Sequence, residues 1–269
     1  MTTKRICVGL VSLLVAITAA VGVNVAPAQA TLNYHYAGGR QTGIVADGLQ
    51  ANLSVHAPVV ASGDFHSLAE LSVQTTDALN TVEVGWTVDR TGVNGADLTN
   101  PHLFAGAWRA GTFLGYNAAG GFVDYVASAL NAGDSLTSWV GLEKRFGIQY
   151  SGGNWWVNAS DLATTQWIGY FPGTIWSGSG ITFTKSNINS GFGEVAANVA
   201  APTTDMGSGV LAAVGPPAAG AVVGSYSLIN PTPAGTLPVL TTFLNPSNPT
   251  KYNVAKLSDR TIRYGGPGN

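Results

Sequence analysis

The amino-acid sequence predicts an all-β protein, an antiparallel β-sandwich of the jelly-roll type with a concave, substrate-binding face. Three observations predict this class. Apolar and polar residues alternate with a period of two in many short segments, glycine-rich turns separate those segments, and only residues 160–165 show even a weak helical period. Apolar residues make up 45% of the chain and charged residues 10%, which is enough apolar material for a folded core.

Alternation of apolar and polar residues marks the strands along most of the chain. The predicted strands cover residues 52–60, 67–74, 81–88, 103–109, 122–128, 146–150, 155–158, 181–184 and 221–229. Residues 230–250 contain five prolines and predict an extended crossing, after which 252–259 and 261–264 predict two last strands. These segments predict one domain over 43–269, preceded by a short mobile arm over 31–42.

The first thirty residues have the order of a secretory signal. Lys4 and Arg5 precede an apolar run over 6–25, and the segment ends Ala28-Gln29-Ala30. We therefore expect cleavage after residue 30 and a secreted protein that is not held in the membrane. The alternative is that the apolar run is retained as a membrane anchor. Whether the secreted protein is released to the medium or retained at the cell wall stays open. The one cysteine, Cys7, lies in this segment, so the mature chain has no thiol nucleophile, cysteine-bound zinc or disulfide.

Charge and histidine spacing disfavour several other kinds of function. The formal net charge is −2 without a basic stripe, so we expect no nucleic-acid partner. The four histidines show no His-Glu-x-x-His or His-x-His spacing, so no metal site is predicted. The Gly207-Ser208-Gly209 segment lacks the surroundings of a serine nucleophile. The sequence does not indicate an oligomeric state.

Two of the four glutamates, Glu83 and Glu194, lie beside glycine in strand-like segments. In the first segment, alternation places Glu83 and Gly85 on one face and Trp86 on the opposite, apolar face, which predicts a core position for Trp86. In the second, Glu194 shares its face with Asn198. A carboxyl group beside a side-chain-free glycine leaves space for a substrate to lie against the strand.

If both glutamates line one sheet, their carboxyl groups converge without a neighbouring lysine or arginine in sequence. Repulsion and desolvation then separate their pKa values, which leaves one acid and one base around a water molecule. The alternative is that each is an ordinary exposed strand residue or half of a salt bridge.

Six ordered motifs resemble the neprosin family of glutamic peptidases, and with the opening segment the match spans about residues 43–268. The motifs are 82–86 (Val-Glu-Val-Gly-Trp), 152–156 (Gly-Gly-Asn-Trp-Trp), 168–172 (Ile-Gly-Tyr-Phe-Pro), 191–195 (Gly-Phe-Gly-Glu-Val), 205–209 (Asp-Met-Gly-Ser-Gly) and 264–268 (Tyr-Gly-Gly-Pro-Gly). The resemblance implies a secreted β-sandwich endopeptidase that cuts proline-containing peptides after proline in acid. It implies Glu83 and Glu194 as catalytic residues, with neither assigned as acid or base, and no metal or organic cofactor.

Residues near these motifs are the candidates for binding a peptide in an extended groove. We expect substrate contacts from Trp155, Trp156, Tyr170, Trp176, Gly85 and Asn198, although core packing is the alternative for each aromatic ring. The chain departs from the family in lacking its paired cysteines and long propeptide. It also has Asp205 and Phe192 where Gln and Gly are expected, which bears on subsite shape and on the proline preference.

Two other functions fit the same fold. A jelly-roll glycosidase also uses two carboxyl groups and aromatic platforms. A secreted carbohydrate- or surface-binding β-sandwich without catalysis is the second alternative, because one fold hosts many functions. A shared cleft for both glutamates distinguishes catalysis from binding.

Overall fold

The computed structural model describes residues 32–177, 180, 182–215 and 218–268. The predicted signal segment, 1–30, lies outside these residues and stays a prediction. Within the described residues, no helix has the length and apolar character required to cross a bilayer.

Fifteen strands and three short 3-10 helices make up the regular structure of the described residues. The strands are β1 (Asn33–Ala46), β2 (Gly48–Ser54), β3 (His66–Gln74), β4 (Thr81–Asp89), β5 (His102–Arg109), β6 (Thr112–Tyr116), β7 (Val123–Asp124), β8 (Glu143–Ser151), β9 (Asn154–Ser160), β10 (Trp167–Pro172), β11 (Ser186–Ala197), β12 (Ala221–Ile229), β13 (Thr241–Asn245), β14 (Asn253–Ser258) and β15 (Thr261–Gly265). The 3-10 helices are Asn117–Gly120, Thr137–Trp139 and Gly173–Trp176.

These strands form two antiparallel sheets, which confirms the all-β sandwich. The seven-stranded sheet has the order β13-β1-β11-β3-β4-β5-β6, and the eight-stranded sheet has the order β14-β15-β12-β2-β8-β9-β10-β7. Apolar side chains from both sheets meet in one core, because alternation turns one face of each strand inward. Trp86 is fully buried there, as its position on the apolar face of β4 predicts.

Glycines on β11 allow close contact between the two sheets. A methyl group added at Gly193 would lie 2.2 Å from the ring of Tyr264, and one at Gly191 would lie 2.8 Å from Val223. Neither distance is compatible with a side chain, so the glycines leave space for residues of the eight-stranded sheet. Glu194 follows Gly193 on this tightly packed strand, so its side chain points to the opposite, outer face of the sheet.

The prediction of a short mobile arm over 31–42 is wrong for its described residues. From Asn33 onward they belong to β1, which pairs with β11 along one edge and with β13 along the other. The strand was missed because its own alternation is interrupted by Gly38 and Gly39, whereas pairing on both sides satisfies its backbone hydrogen bonds. Residues 230–250 likewise include a strand, β13, rather than only an extended crossing.

Several other predicted boundaries differ from the structure. The strand predicted over 52–60 begins earlier and ends at Ser54, and only two residues of 122–128, Val123 and Asp124, are paired. Residues 182–184 form no strand, while residue 181 lies outside the described residues. The weak helical period over 160–165 corresponds to the end of β9 and a turn.

Candidate active site

A cavity of about 390 Å³ lies on the outer face of the seven-stranded sheet, opposite the face that packs in the core. Three of the four glutamates in the sequence line it, together with six aromatic residues and no lysine or arginine. The lining residues are Tyr34, Tyr36, Leu68, Glu70, Ser72, Gln74, Ala78, Thr81, Glu83, Trp108, Phe113, Tyr116, Phe192 and Glu194. The cavity therefore combines acidic groups with an aromatic wall.

Strand register brings the three glutamates together. β3 lies between β11 and β4, so its outward residues separate the acids of those two strands. Glu194 of β11 pairs with Leu68, and Glu83 of β4 pairs with Ser72. Glu70 lies between those two positions on β3 and is therefore a diagonal neighbour of both acids. Such diagonal neighbours on adjacent strands are about 7 to 8 Å apart, measured between Cα atoms.

Glu83 lies in an environment that favours its protonated form. Desolvation and the charge of Glu194 raise the pKa of Glu83 to about 8, although a hydrogen bond from Trp108 and the charge of His66 oppose that shift. Trp108 Nε1 donates this bond to Glu83 Oε1 over 2.9 Å. The cross-strand partner of Glu83 is Gly106, where an added methyl group would lie 2.9 Å from Glu83 Oε2. The missing side chain thus leaves space for the carboxyl group.

Glu194 instead has a cationic partner. His66 Nε2 donates a hydrogen bond to Glu194 Oε1 over 2.7 Å, and His66 Nδ1 lies 3.7 Å from Asp89 Oδ2. Burial alone lowers the pKa of His66, but its interactions with Asp89 and Glu194 outweigh burial and raise that pKa to about 9. All three side chains are buried. The His66 imidazolium therefore provides a positive charge beside the Glu194 carboxyl group.

Glu70 is the most enclosed of the three glutamates, with 3% of its surface exposed. Burial, and then the charges of Glu83 and Glu194, raise its pKa well above the ordinary value. Its cross-strand partner is Gly85. A methyl group at Gly85 would lie 1.9 Å from the Ala69 carbonyl oxygen and 2.8 Å from the Glu70 Cα atom, so glycine permits this close pairing.

The structure brings the two predicted catalytic residues to one cavity but not the predicted substrate-binding residues. Trp155 and Trp176 are buried in the core, where the indole of Trp155 donates to the Phe183 carbonyl. Trp176 reaches the cavity only indirectly, since its Nε1 donates to the Trp108 carbonyl oxygen over 2.8 Å.

Three of the other four predicted contacts also lie elsewhere. Trp156 and Tyr170 pack against each other on the outer face of the eight-stranded sheet, with ring centroids 4.7 Å apart. Asn198 follows β11 and its backbone N–H donates to Asp64. Gly85 lies in the sheet beneath the cavity. The prediction that the aromatic residues and Asn198 share the glutamate cleft is therefore wrong, because motif membership does not specify which face of which sheet a residue occupies.

Sequence reasoning missed Glu70, His66 and the aromatic wall of the cavity. One available signal was the spacing of Tyr34 and Tyr36, which places both rings on one face of a strand, where they stack 5.9 Å apart. Another signal was His66, because its spacing of two residues from Leu68 places both side chains on the same face of one strand. In the described part of the chain, no group of three or more His, Asp, Glu or Cys side chains is arranged to hold a metal ion.

Two of the solved structures that are similar to the chain are peptidases. One is scytalido-glutamic peptidase with a transition state analog inhibitor, at 8% sequence identity and a TM-score of 0.48. The other is SCP-B, a member of the Eqolisin family of peptidases, in a complex with a tripeptide, at 10% sequence identity and a TM-score of 0.46. Each match covers 88% of this chain and 100% of the other. No curated protein matches the chain in sequence.

The family comparison extends over most of the chain. The model of the neprosin family matches residues 63–267, a range that includes β3, β4 and β11 and therefore all three glutamates of the cavity. The chain thus belongs to the neprosin family, the family of glutamic peptidases that its motifs resemble.

Proposed function

We propose that this peptidase of the neprosin family hydrolyses internal peptide bonds with Glu194 as general base and Glu83 as general acid. The observation that carries the assignment is the contrast between their surroundings within one cavity. Glu194 has the His66 imidazolium as a counter-charge, whereas desolvation and the charge of Glu194 raise the pKa of Glu83 to about 8. Carboxyl groups whose environments separate their protonation states divide the roles of acid and base.

The reaction follows from these two protonation states. The Glu194 carboxylate takes a proton from water as the water oxygen bonds to the scissile carbonyl carbon, and the carbonyl π electrons move onto its oxygen. Glu83 then gives its proton to the amide nitrogen while the oxyanion electrons re-form the carbonyl double bond and the carbon–nitrogen bond breaks, with its electrons moving to nitrogen. Glu194 releases its proton and Glu83 regains one from solvent, so the net reaction consumes one water molecule.

The aromatic wall supports a preference for proline-containing peptides. Trp108, Phe113 and Tyr116 lie beside Glu83, and Tyr36 and Phe192 lie beside Glu194. A proline ring is apolar and its backbone is already extended, so it can pack on an aromatic face at little entropic cost. We propose that the protein cleaves after proline in acid. We also propose that its first thirty residues are a signal that directs its secretion.

Peptide cleavage across pH tests this function. The purified protein is assayed from about pH 2 to 9 on peptides with and without proline. We expect cleavage after proline, with kcat/KM falling as the pH rises through about 8, because Glu83 must be protonated. Glu83→Gln and Glu194→Gln each keep the side-chain shape but cannot transfer the proton, and each should lose about 10² to 10⁴-fold in kcat.

Glu143→Gln provides the matched control. Glu143 is exposed and begins β8 in the other sheet, so the same substitution there should leave kcat unchanged. Folded protein that cleaves no peptide at any pH would contradict the proposal. Hydrolysis of a polysaccharide that depends on the same two glutamates would instead favour the glycosidase.

A further inference from the structure

Glu70 is a third carboxyl group in the cavity, and the acid–base reaction above gives it no role. It lies on β3 between the strands that carry the proposed base and acid. Outward residues of one strand are about 7 Å apart, so Leu68, Glu70 and Ser72 form a row whose ends adjoin Glu194 and Glu83. A peptide carbonyl group located between base and acid therefore lies over Glu70.

Among the described residues that line the cavity with Glu70 there is no lysine, arginine or histidine, and His66 on the same strand is already paired. His66 interacts with Glu194 and Asp89 rather than with Glu70. Tyr36 of β1 and Tyr116 of β6 also face the cavity, and burial followed by the charge of Glu194 raises the pKa of both phenols. A buried carboxyl group without a cationic partner avoids the cost of a buried charge by keeping its proton.

We propose that Glu70 donates a hydrogen bond from its O–H to the carbonyl oxygen of the scissile peptide, and so stabilises the oxyanion formed when water adds. This inference rests on the proposed function. A fixed donor in a site from which water is excluded stabilises developing negative charge more than water does. Glu70 keeps its proton throughout, so no atom is gained or lost at Glu70 and the balance of the hydrolysis is unchanged.

Two substitutions separate the hydrogen bond from the space that the side chain fills. Glu70→Gln keeps the shape and an N–H donor but cannot ionise, whereas Glu70→Met keeps the length and has no donor. We expect Glu70→Gln to retain kcat within about tenfold and Glu70→Met to lose about 10² to 10³-fold in kcat with KM almost unchanged. Glu143→Gln and Glu143→Met are the paired controls on the exposed position.

Carboxyl-carbon NMR of the wild-type protein provides a second readout, which does not depend on turnover. The sequence contains only four glutamates, so ¹³C-labelled glutamate gives few signals, and Glu→Gln variants assign them. We expect the Glu70 signal to stay that of a neutral acid from about pH 4 to 7, a range within which an ordinary glutamate ionises. The exposed Glu143 signal is the internal reference.

The outcomes distinguish this inference from the proposed function. Wild-type protein that cleaves nothing contradicts the proposed function and, with it, the role of Glu70. In an active enzyme, equal kcat for Glu70→Met and the wild type overturns the inference alone, as does an equal loss in Glu70→Gln and Glu70→Met. A Glu70 signal that shows ionisation below about pH 6 overturns it whether or not the protein cleaves peptides.

Discussion

The outer faces of the two sheets carry similar aromatic residues but differ in their acids. On the eight-stranded sheet, a cavity of about 330 Å³ is lined by Tyr125, Gln149, Ser151, Trp156 and Trp167, with no carboxyl group among them. On the seven-stranded sheet, the aromatic wall encloses three glutamates. Aromatic surface is thus common to both faces, whereas three converging carboxyl groups, with raised pKa values for Glu70 and Glu83, distinguish one of them. The environment of the acids, more than the aromatic content, therefore identifies a candidate catalytic face.

The largest expected effect is on the pH dependence of folding. The pKa of Glu83 is about 8 in the folded chain and about 4.5 in an ordinary environment. A raised pKa stabilises the fold below about pH 4.5, and this contribution is lost as the pH rises through about 8. A pKa difference of one corresponds to about 1.4 kcal/mol. Because solvent screens part of the effect, we expect a loss on the order of 3 kcal/mol from this residue.

Urea denaturation at several pH values measures this contribution. Glu83→Gln removes the titrating group, so its free energy of unfolding should fall less between about pH 5 and 8 than that of the wild type. Glu143→Gln, at the exposed start of β8 in the other sheet, should keep the wild-type slope. Parallel slopes for the wild type and Glu83→Gln would mean that Glu83 is solvated in the folded protein.

The next effect concerns the cation that distinguishes Glu194 from the other two acids. His66→Gln keeps a side-chain N–H donor but removes the positive charge between Glu194 and Asp89. We expect kcat to fall about 100-fold, since a carboxylate without its partner is displaced from its orientation.

His102→Gln is the matched control for this change. His102 also contacts a carboxylate, Asp97, over 3.1 Å, but neither residue lines the cavity. An equal loss of kcat in both variants would show that His66 acts on stability alone.

These expectations depend on contacts that the sequence reveals only in part. Glu83 and Glu194 were recognisable because each has a glycine close to it along the chain. Glu70 was not, because its glycine, Gly85, lies across the strand pair and register cannot be derived from one strand alone. The same reason explains β1, whose pairing with β11 and β13 compensates for an irregular pattern.

The choice of aromatic residues failed for a related reason. Alternation shows that Trp155 and Trp156 point to opposite faces of β9. In the folded protein one of these faces is core, and the other is the outer surface of the eight-stranded sheet, which does not carry the glutamate cavity. Fold class and individual strands follow from local patterns. The outer face on which a given side chain lies depends on strand order, a non-local property that motif spacing does not encode.

The smallest of these effects compares one tryptophan from each outer face. Trp108→Phe keeps an aromatic ring against Phe113, at a centroid distance of 4.9 Å in the wild type, but removes the indole N–H that donates to Glu83. One such bond is worth about 1 kcal/mol, so we expect kcat/KM to fall by somewhat less than tenfold. Since this bond lowers the pKa of Glu83, its loss should move the alkaline limb above about pH 8.

Trp156→Phe makes the same substitution on the outer face of the eight-stranded sheet, beside Tyr170. Because no carboxyl group lines that cavity, neither kcat/KM nor the alkaline limb should change. Both variants are measured on one proline-containing peptide across pH, with thermal unfolding as the check on folding. If Trp156→Phe lowers kcat/KM and Trp108→Phe does not, the substrate binds on the eight-stranded sheet and the acids of the other face serve a different purpose.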